Sequence, residues 1–139
     1  MNVSNFKVGL KHSESMYVKT QNTVPHLEQS WPGFQDMPEV FATAMMIGFM
    51  EQTCIQALRP FLAENQHSVG THVDISHVSA TPVGFSVTAL IELVEVDGRI
   101  LTFKVSCQDD FGIIGEGTHK RAIIDVPKFL ERLKNKLPN

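Results

Sequence analysis

The stretch PEVFATAMMIGFMEQTCIQALRPFL, from Pro38 to Leu62, constrains the fold more than any other part of the chain. No charged residue falls between Val40 and Met50, and helical spacing places Val40, Ala44, Ile47, Glu51, Cys54 and Leu58 on one stripe. A helix that is apolar nearly all round is predicted to be buried, with the rest of the chain wrapped around it. Its stripe carries a single carboxylate, Glu51. Burying an unpaired carboxylate costs on the order of several kcal/mol, so Glu51 must meet a partner, sit in a solvated pocket or be held protonated. The plain alternative is that Glu51 lies at the edge of the stripe and reaches water. Pro38 suits the first turn of this helix, and Pro60 with the polar run from Ala63 to Ser68 ends it.

At 139 residues the sequence predicts one domain, 1–139, with a single substantial core. A hydrophobic share of 42% against 19% charged is that of an ordinary globular protein and argues against disorder. The net charge of -3 gives no basic excess, so nucleic acid and anionic membranes are not expected partners. The N-terminal MNVSNFKVGLKHSES has no apolar signal core, and no apolar run approaches the roughly 20 residues of a membrane span. The expected location is cytoplasmic. Cys54 and Cys107 both fall in apolar register and read as buried thiols, with no disulfide framework.

Ahead of the helix, Phe6 to Val18 allows a strand. Thr23 to Met37 reads as a loop, with Phe34 as a candidate pocket residue and Trp31 plugging the end of the core. Beyond the helix, Val69 to Ile124 reads as strand. Val69, Thr71, Val73, Ile75 and His77 share one face of the first strand; Gly70, His72, Asp74 and Ser76 share the other. Thr81-Pro82 with Gly84, Asp97-Gly98, and Asp109 to Gly112 mark turns, which predicts an antiparallel meander. Gly115 and Gly117 suggest a bulge or a close backbone approach. Asp125 caps a closing helix whose apolar face is Phe129, Leu130, Leu133 and Leu137. The fold class is therefore α+β, a curved antiparallel sheet around one long central helix.

Known chemical motifs are few. No nucleophile elbow, Walker A loop, H-E-x-x-H or paired cysteines are present, and the six histidines show no ligand spacing, so no metal is expected. The GEGTH segment, Gly115 to His119, lies in a strand pattern and is a weak phosphate-loop candidate. What remains is Glu51 on the buried helix, His77 on the apolar face of a strand, and Thr43 on a helix face neighbouring that of Glu51. A pocket seeing these groups would hold a general base and a proton carrier. The bland readings are a satisfied core histidine and a threonine bonded back to its own helix.

Taken together, FATAMMIGFMEQTC, VGTHVDISHVSATPVG and GEGTHKRAIID resemble the hotdog-fold acyl-coenzyme A thioesterases, and among them the fluoroacetyl-coenzyme A-hydrolysing branch. The likeness runs from about Thr23 to Asp125. It implies a homodimer or a dimer of dimers, and hydrolysis of an acyl-coenzyme A thioester near the dimer interface. Coenzyme A would be part of the substrate, and no cofactor is implied. It also implies catalytic roles for Thr43, Glu51 and His77, an oxyanion-donating backbone at Gly70, Arg121 beside the site, and Phe34 and Met37 at the lid. Met37 stands where that branch carries phenylalanine, which leaves the acyl group open. Two other functions fit the same residues: a hydratase or dehydratase of this fold, and a non-catalytic acyl-coenzyme A binding or sensing module.

Overall fold

The computed structural model describes residues 5–138; the outermost residues of the chain, 1–4 and 139, lie outside them. Strand β1 (Lys11–Tyr17) and the short helix α1 (Pro32–Gln35) precede the central helix α2 (Thr43–Leu58). Four strands follow, β2 (Gln66–His77), β3 (Ser86–Asp97), β4 (Ile100–Asp109) and β5 (Gly112–Asp125), then helix α3 (Val126–Leu133). All five strands form one antiparallel sheet in the order β1-β3-β4-β5-β2. The sheet curls over α2, whose Met46, Met50, Cys54, Ala57 and Leu58 are buried against inward-facing Val87, Ile91, Leu93, Leu101, Phe103 and Val105. This is the hotdog arrangement.

The helix is shorter than the apolar stretch. The chain bends at Glu39, with Val40 N bonded to Pro38 O, and Val40 and Phe41 form bridges to Pro82 and Thr23, so Pro38 is not in the first turn of α2, which begins at Thr43. Only one stripe of α2 is buried. Ala44, Gly48 and Gln52 are exposed, and Ile47, Glu51 and Ile55 are half-buried, although most of these side chains are apolar.

The meander holds for β3, β4 and β5 but not for β2, which pairs with β5 at the far edge. The segment between β2 and β3 is too long for a hairpin turn. It crosses the end of the sheet, pinned by Val78 N to Ile114 O, Phe41 N to Thr81 O, and Thr81 Oγ1 to Asp109 Oδ2. Gly98, with φ +59°, opens the two-residue β3–β4 turn as a type II′ turn requires.

A bulge between Gly70 and His72 changes the faces of β2. Before it, Gly70 lies opposite Arg121 with its Cβ direction toward Glu51; after it, Val73 lies opposite His119 and His77 opposite Gly115. One extra residue, Thr71, thus brings Gly70 and His77 to the same, helix-facing side, where strict alternation had separated them. Gly115 and Gly117 make the close approaches expected of them. A Cβ on Gly117 would collide with the backbone of Asp74, and one on Gly115 with Ser76 O and the Met46 side chain.

Asp125 caps α3, accepting from Lys128 N at 3.1 Å. The apolar face of that helix is only partly covered: Phe129 is half-buried while Leu130 is 53% and Leu133 40% exposed, and Leu137, expected on this face, lies beyond the end of α3.

Candidate active site

Thr43 is the first residue of α2, and its Oγ1 lies 2.7 Å from His77 Nδ1 at the last residue of β2. Opening the helix leaves Thr43 no helical carbonyl four residues back, so its hydroxyl turns to the strand instead. His77 Nε2 is buried without a hydrogen-bond partner among the described residues. Burial lowers the His77 pKa from its usual 6.5, which keeps the ring neutral and one ring nitrogen free to accept a proton.

Glu51 belongs to a second cluster. Its Oε1 accepts from Arg121 Nη1 at 3.2 Å. Arg121 also donates from Nε to Ser68 Oγ at 2.8 Å, from Nη2 to Ser68 O at 3.0 Å and from Nη1 to His119 Nε2 at 3.1 Å. His119 Nδ1 donates to the His72 carbonyl at 2.8 Å, so Nε2 is left as the acceptor. Burial, reinforced by the Arg121 charge, lowers the His119 pKa and keeps this imidazole neutral as well. Arg121 is 4% exposed while the Glu51 side chain is 37% exposed, so the carboxylate has a fixed partner on one side and solvent on the other.

Gly70 closes this cluster. A Cβ there would stand 2.6 Å from Glu51 Oε1, so glycine lets the β2 backbone come up against the carboxylate. Cys54 and Cys107 take no part as nucleophiles: both are buried, and burial pushes their thiols up to about 12.

Thr43 thus meets His77, and Glu51 meets Arg121 and Gly70, but Glu51 does not bond His77 within the chain. Thr43 and Glu51 are separated by eight residues of α2, about 12 Å of helix rise. His119 and Ser68 were not singled out in the sequence. The signal for His119 is the alternation of Gly115, Gly117, His119 and Arg121 along one strand face.

Upstream of Thr43, Gln35 Nε2 anchors α1 by donating to Pro25 O at 2.7 Å and Glu28 O at 3.1 Å. Phe34 is half-buried and meets Trp31 edge to face at 5.0 Å, and Met37 is 47% exposed. Trp31 is itself 54% exposed, so it does not plug the core. A cavity of 590 Å³ opens on the outer face of the sheet between Lys11, Leu90, Glu92, Lys104 and Ser106, away from both clusters.

The sequence profile of the fluoroacetyl-CoA-specific thioesterase family matches residues 18–127. The chain is 41% identical over 132 residues to the fluoroacetyl-CoA thioesterase of Streptantibioticus cattleyicolor, covering 95% of each. A solved structure of the fluoroacetyl-CoA thioesterase FlK superposes with a TM-score of 0.92 at 41% identity, covering 96% of this chain and 98% of the other. A thioesterase-superfamily protein from Thermus thermophilus, 22% identical with a TM-score of 0.82 and 94% of each chain covered, shares the fold. By its matched residues and its superposed fold, this chain belongs to the fluoroacetyl-CoA-specific thioesterase family of hotdog-fold enzymes.

Proposed function

We propose that this chain hydrolyses a small acyl-coenzyme A thioester to the free acid and coenzyme A, in a site completed by two copies of the chain. The reaction class rests on family membership. Structures of the relative at about the same identity hold acetyl-CoA in one case and fluoroacetate with CoA in another. The observation that carries the reading is the Thr43–His77 pair: a hydroxyl 2.7 Å from a neutral imidazole is an activated nucleophile or a water-positioning group with its base.

The pairing of copies is supported by what one chain leaves open. β2 is a 12-residue edge strand with one side unpaired among the described residues, a template for a second copy of itself. Beside it, Ile47 and Ile55 flank Glu51 on the uncovered side of α2. A two-fold interface over these surfaces sets the Thr43–His77 pair of each copy against Glu51 of the other, and closes the gap of about 12 Å between the clusters.

In that site Thr43 acts as nucleophile or positioner, and His77 takes its proton and returns it to the leaving thiolate. Glu51 serves either as base toward water or as nucleophile through a transient anhydride. The Gly70 amide faces the developing oxyanion; one such donor is worth about 2.7 to 4 kcal/mol of barrier. Arg121, bonded to Ser68, His119 and Glu51, holds the carboxylate rather than the substrate, a positioning role. Phe34 and Met37 close the acyl pocket, and the flexible thioether of Met37 admits an acyl group other than fluoroacetyl. No cofactor is invoked, and a cytoplasmic location suits an acyl-coenzyme A substrate.

The test is thiol release across short, branched and aromatic acyl-coenzyme A substrates. The hydrolase liberates coenzyme A from at least the smallest of them. Hydration of an enoyl thioester without thiol release, or binding without turnover, would replace the proposal with one of its two rivals.

A further inference from the structure

His119 is buried on β5 two residues before Arg121, so the two side chains share the helix-facing side of the strand. A buried imidazole needs partners for its ring nitrogens. Nδ1 lies 2.8 Å from the His72 carbonyl of β2; a carbonyl only accepts, so Nδ1 carries the proton and Nε2 keeps a lone pair. That lone pair takes one proton of Arg121 Nη1 at 3.1 Å, while the other Nη1 proton goes to Glu51 Oε1 at 3.2 Å. Glu51 Oε1 and His119 Nε2 stand 3.7 Å apart, each held by the same guanidinium nitrogen.

The ring has little room to turn. Val73 of β2 and Phe103 of β4 lie opposite it in the sheet, and a Cβ on Gly70 would stand 3.3 Å from His119 Cε1 and 3.4 Å from Arg121 Nη1. On the other edge of the guanidinium, Ser68 accepts from Nε and Nη2. Ser68 and His119 thus take three of the four hydrogen bonds that Arg121 makes, and the fourth is aimed at Glu51. Without an acceptor at His119, one Nη1 proton becomes a buried unpaired donor and the guanidinium shifts to satisfy it. Glu51, paired to the same nitrogen, shifts with it. Only the neutral ring can accept. The charged and titratable groups facing it are Arg121 on its own strand, Glu51 on α2 and His72 on β2, while Phe103 on β4 carries no charge. With His119 neutral, Arg121 and Glu51 balance; with His119 protonated, two cations meet N–H to N–H and the cluster holds an excess positive charge.

We propose that His119 is a positioning residue of the site, a neutral imidazole that aims Arg121 and through it the Glu51 carboxylate, and that protonating His119 disarms the site in acid. The assignment rests on the hydrolase reading for its reaction, and its test separates the two. His119→Leu removes the acceptor at similar volume. His119→Gln keeps a carbonyl oxygen close to the place of Nε2 and cannot titrate. Both variants and the wild type are assayed for thiol release well below their melting temperatures, so that a loss reports geometry and not unfolding.

His119→Leu lowers kcat by about tenfold or more with KM within about twofold of wild type, and His119→Gln recovers kcat to within about threefold. Across the acid limb of kcat/KM, His119→Gln is titrated by one proton fewer than the wild type. An undiminished kcat in His119→Leu, a His119→Gln no better than His119→Leu, or the same acid limb in His119→Gln as in wild type would overturn the proposal. Where His119→Leu does not fold, the acid limb of His119→Gln decides. NMR of the guanidinium N–H groups reads the same contact without turnover: rotation of Arg121 is restricted in the wild type and freed on acidification below 6.5, and stays restricted over that range in His119→Gln. Rotation that responds to acid alike in both proteins would count against the proposal. Should the wild type release no thiol at all, the hydrolase reading falls alone, and the rotation of Arg121 still decides whether His119 aims it.

Discussion

Thr43 Oγ1 and His77 Nδ1 meet at 2.7 Å although 34 residues separate them in the chain. The contact joins the first residue of the central helix to the last residue of the edge strand. The bulge in β2 puts His77 on the same, helix-facing side as Gly70, so one strand presents both residues to the helix. Removing either member should therefore act on chemistry. Thr43→Ala and His77→Ala each lower kcat by about a hundredfold or more, and the double variant by little more than either alone, because the two act as a unit. Steady-state kinetics of the three variants check this.

Arg121 makes four hydrogen bonds through its guanidinium, to Ser68 twice, to His119 and to Glu51. A lysine keeps the charge but not the fork. Arg121→Lys lowers stability by about 1 to 2 kcal/mol, less than the loss of a fully buried pair because Glu51 is 37% exposed. It also lowers turnover, because the carboxylate loses its anchor. Denaturant melts and kinetics read both effects.

Two glycines separate site from scaffold. Gly70→Ala drives a methyl against Glu51 Oε1, displacing the carboxylate and cutting kcat by about tenfold to a hundredfold with the fold retained. Gly117→Ala meets the Asp74 backbone instead, which has no side-chain freedom to yield, and lowers stability by about 1 to 3 kcal/mol. Thermal midpoints together with kinetics distinguish the two variants.

His77 and His119 both have folded-state pKa values below the usual 6.5, chiefly through burial. Between the lowered values and 6.5 the unfolded chain binds more protons than the folded one. Their contribution to stability is therefore complete above 6.5 and is lost as pH falls through the lowered values. With His77 as the base, the acid limb of kcat/KM, which reports the free enzyme, lies below 6.5 for the same reason. The thermal midpoint should drop on acidification below 6.5, and His119→Gln should flatten that drop; a midpoint insensitive to pH in this window would contradict the assignment.

Much of this was legible in the sequence because it follows from period and turn chemistry. The uncharged run to Met50 announced the central helix, Asp97-Gly98 a hairpin, and Gly115 and Gly117 a close backbone approach. What escaped depends on one residue of register. Alternation placed Gly70 opposite in facing to His77, and nothing local marks Thr71 as the extra residue. The strand order escaped because a crossing segment held by Thr81 and Asp109 looks, in sequence, like a turn. Glu51 and His77 were marked as odd polar groups on apolar faces. Their actual partners, Arg121 with His119 for one and Thr43 for the other, are set by tertiary contact alone.

A mixing experiment tests the central claim, that Glu51 works with the Thr43–His77 pair of a second copy. Glu51→Gln and His77→Ala chains, each inactive alone, are unfolded together and refolded as a mixture. A shared site predicts recovery to about a quarter of wild-type activity, since each mixed dimer rebuilds one unaltered site. No recovery in a mixture shown to contain mixed dimers would contradict it.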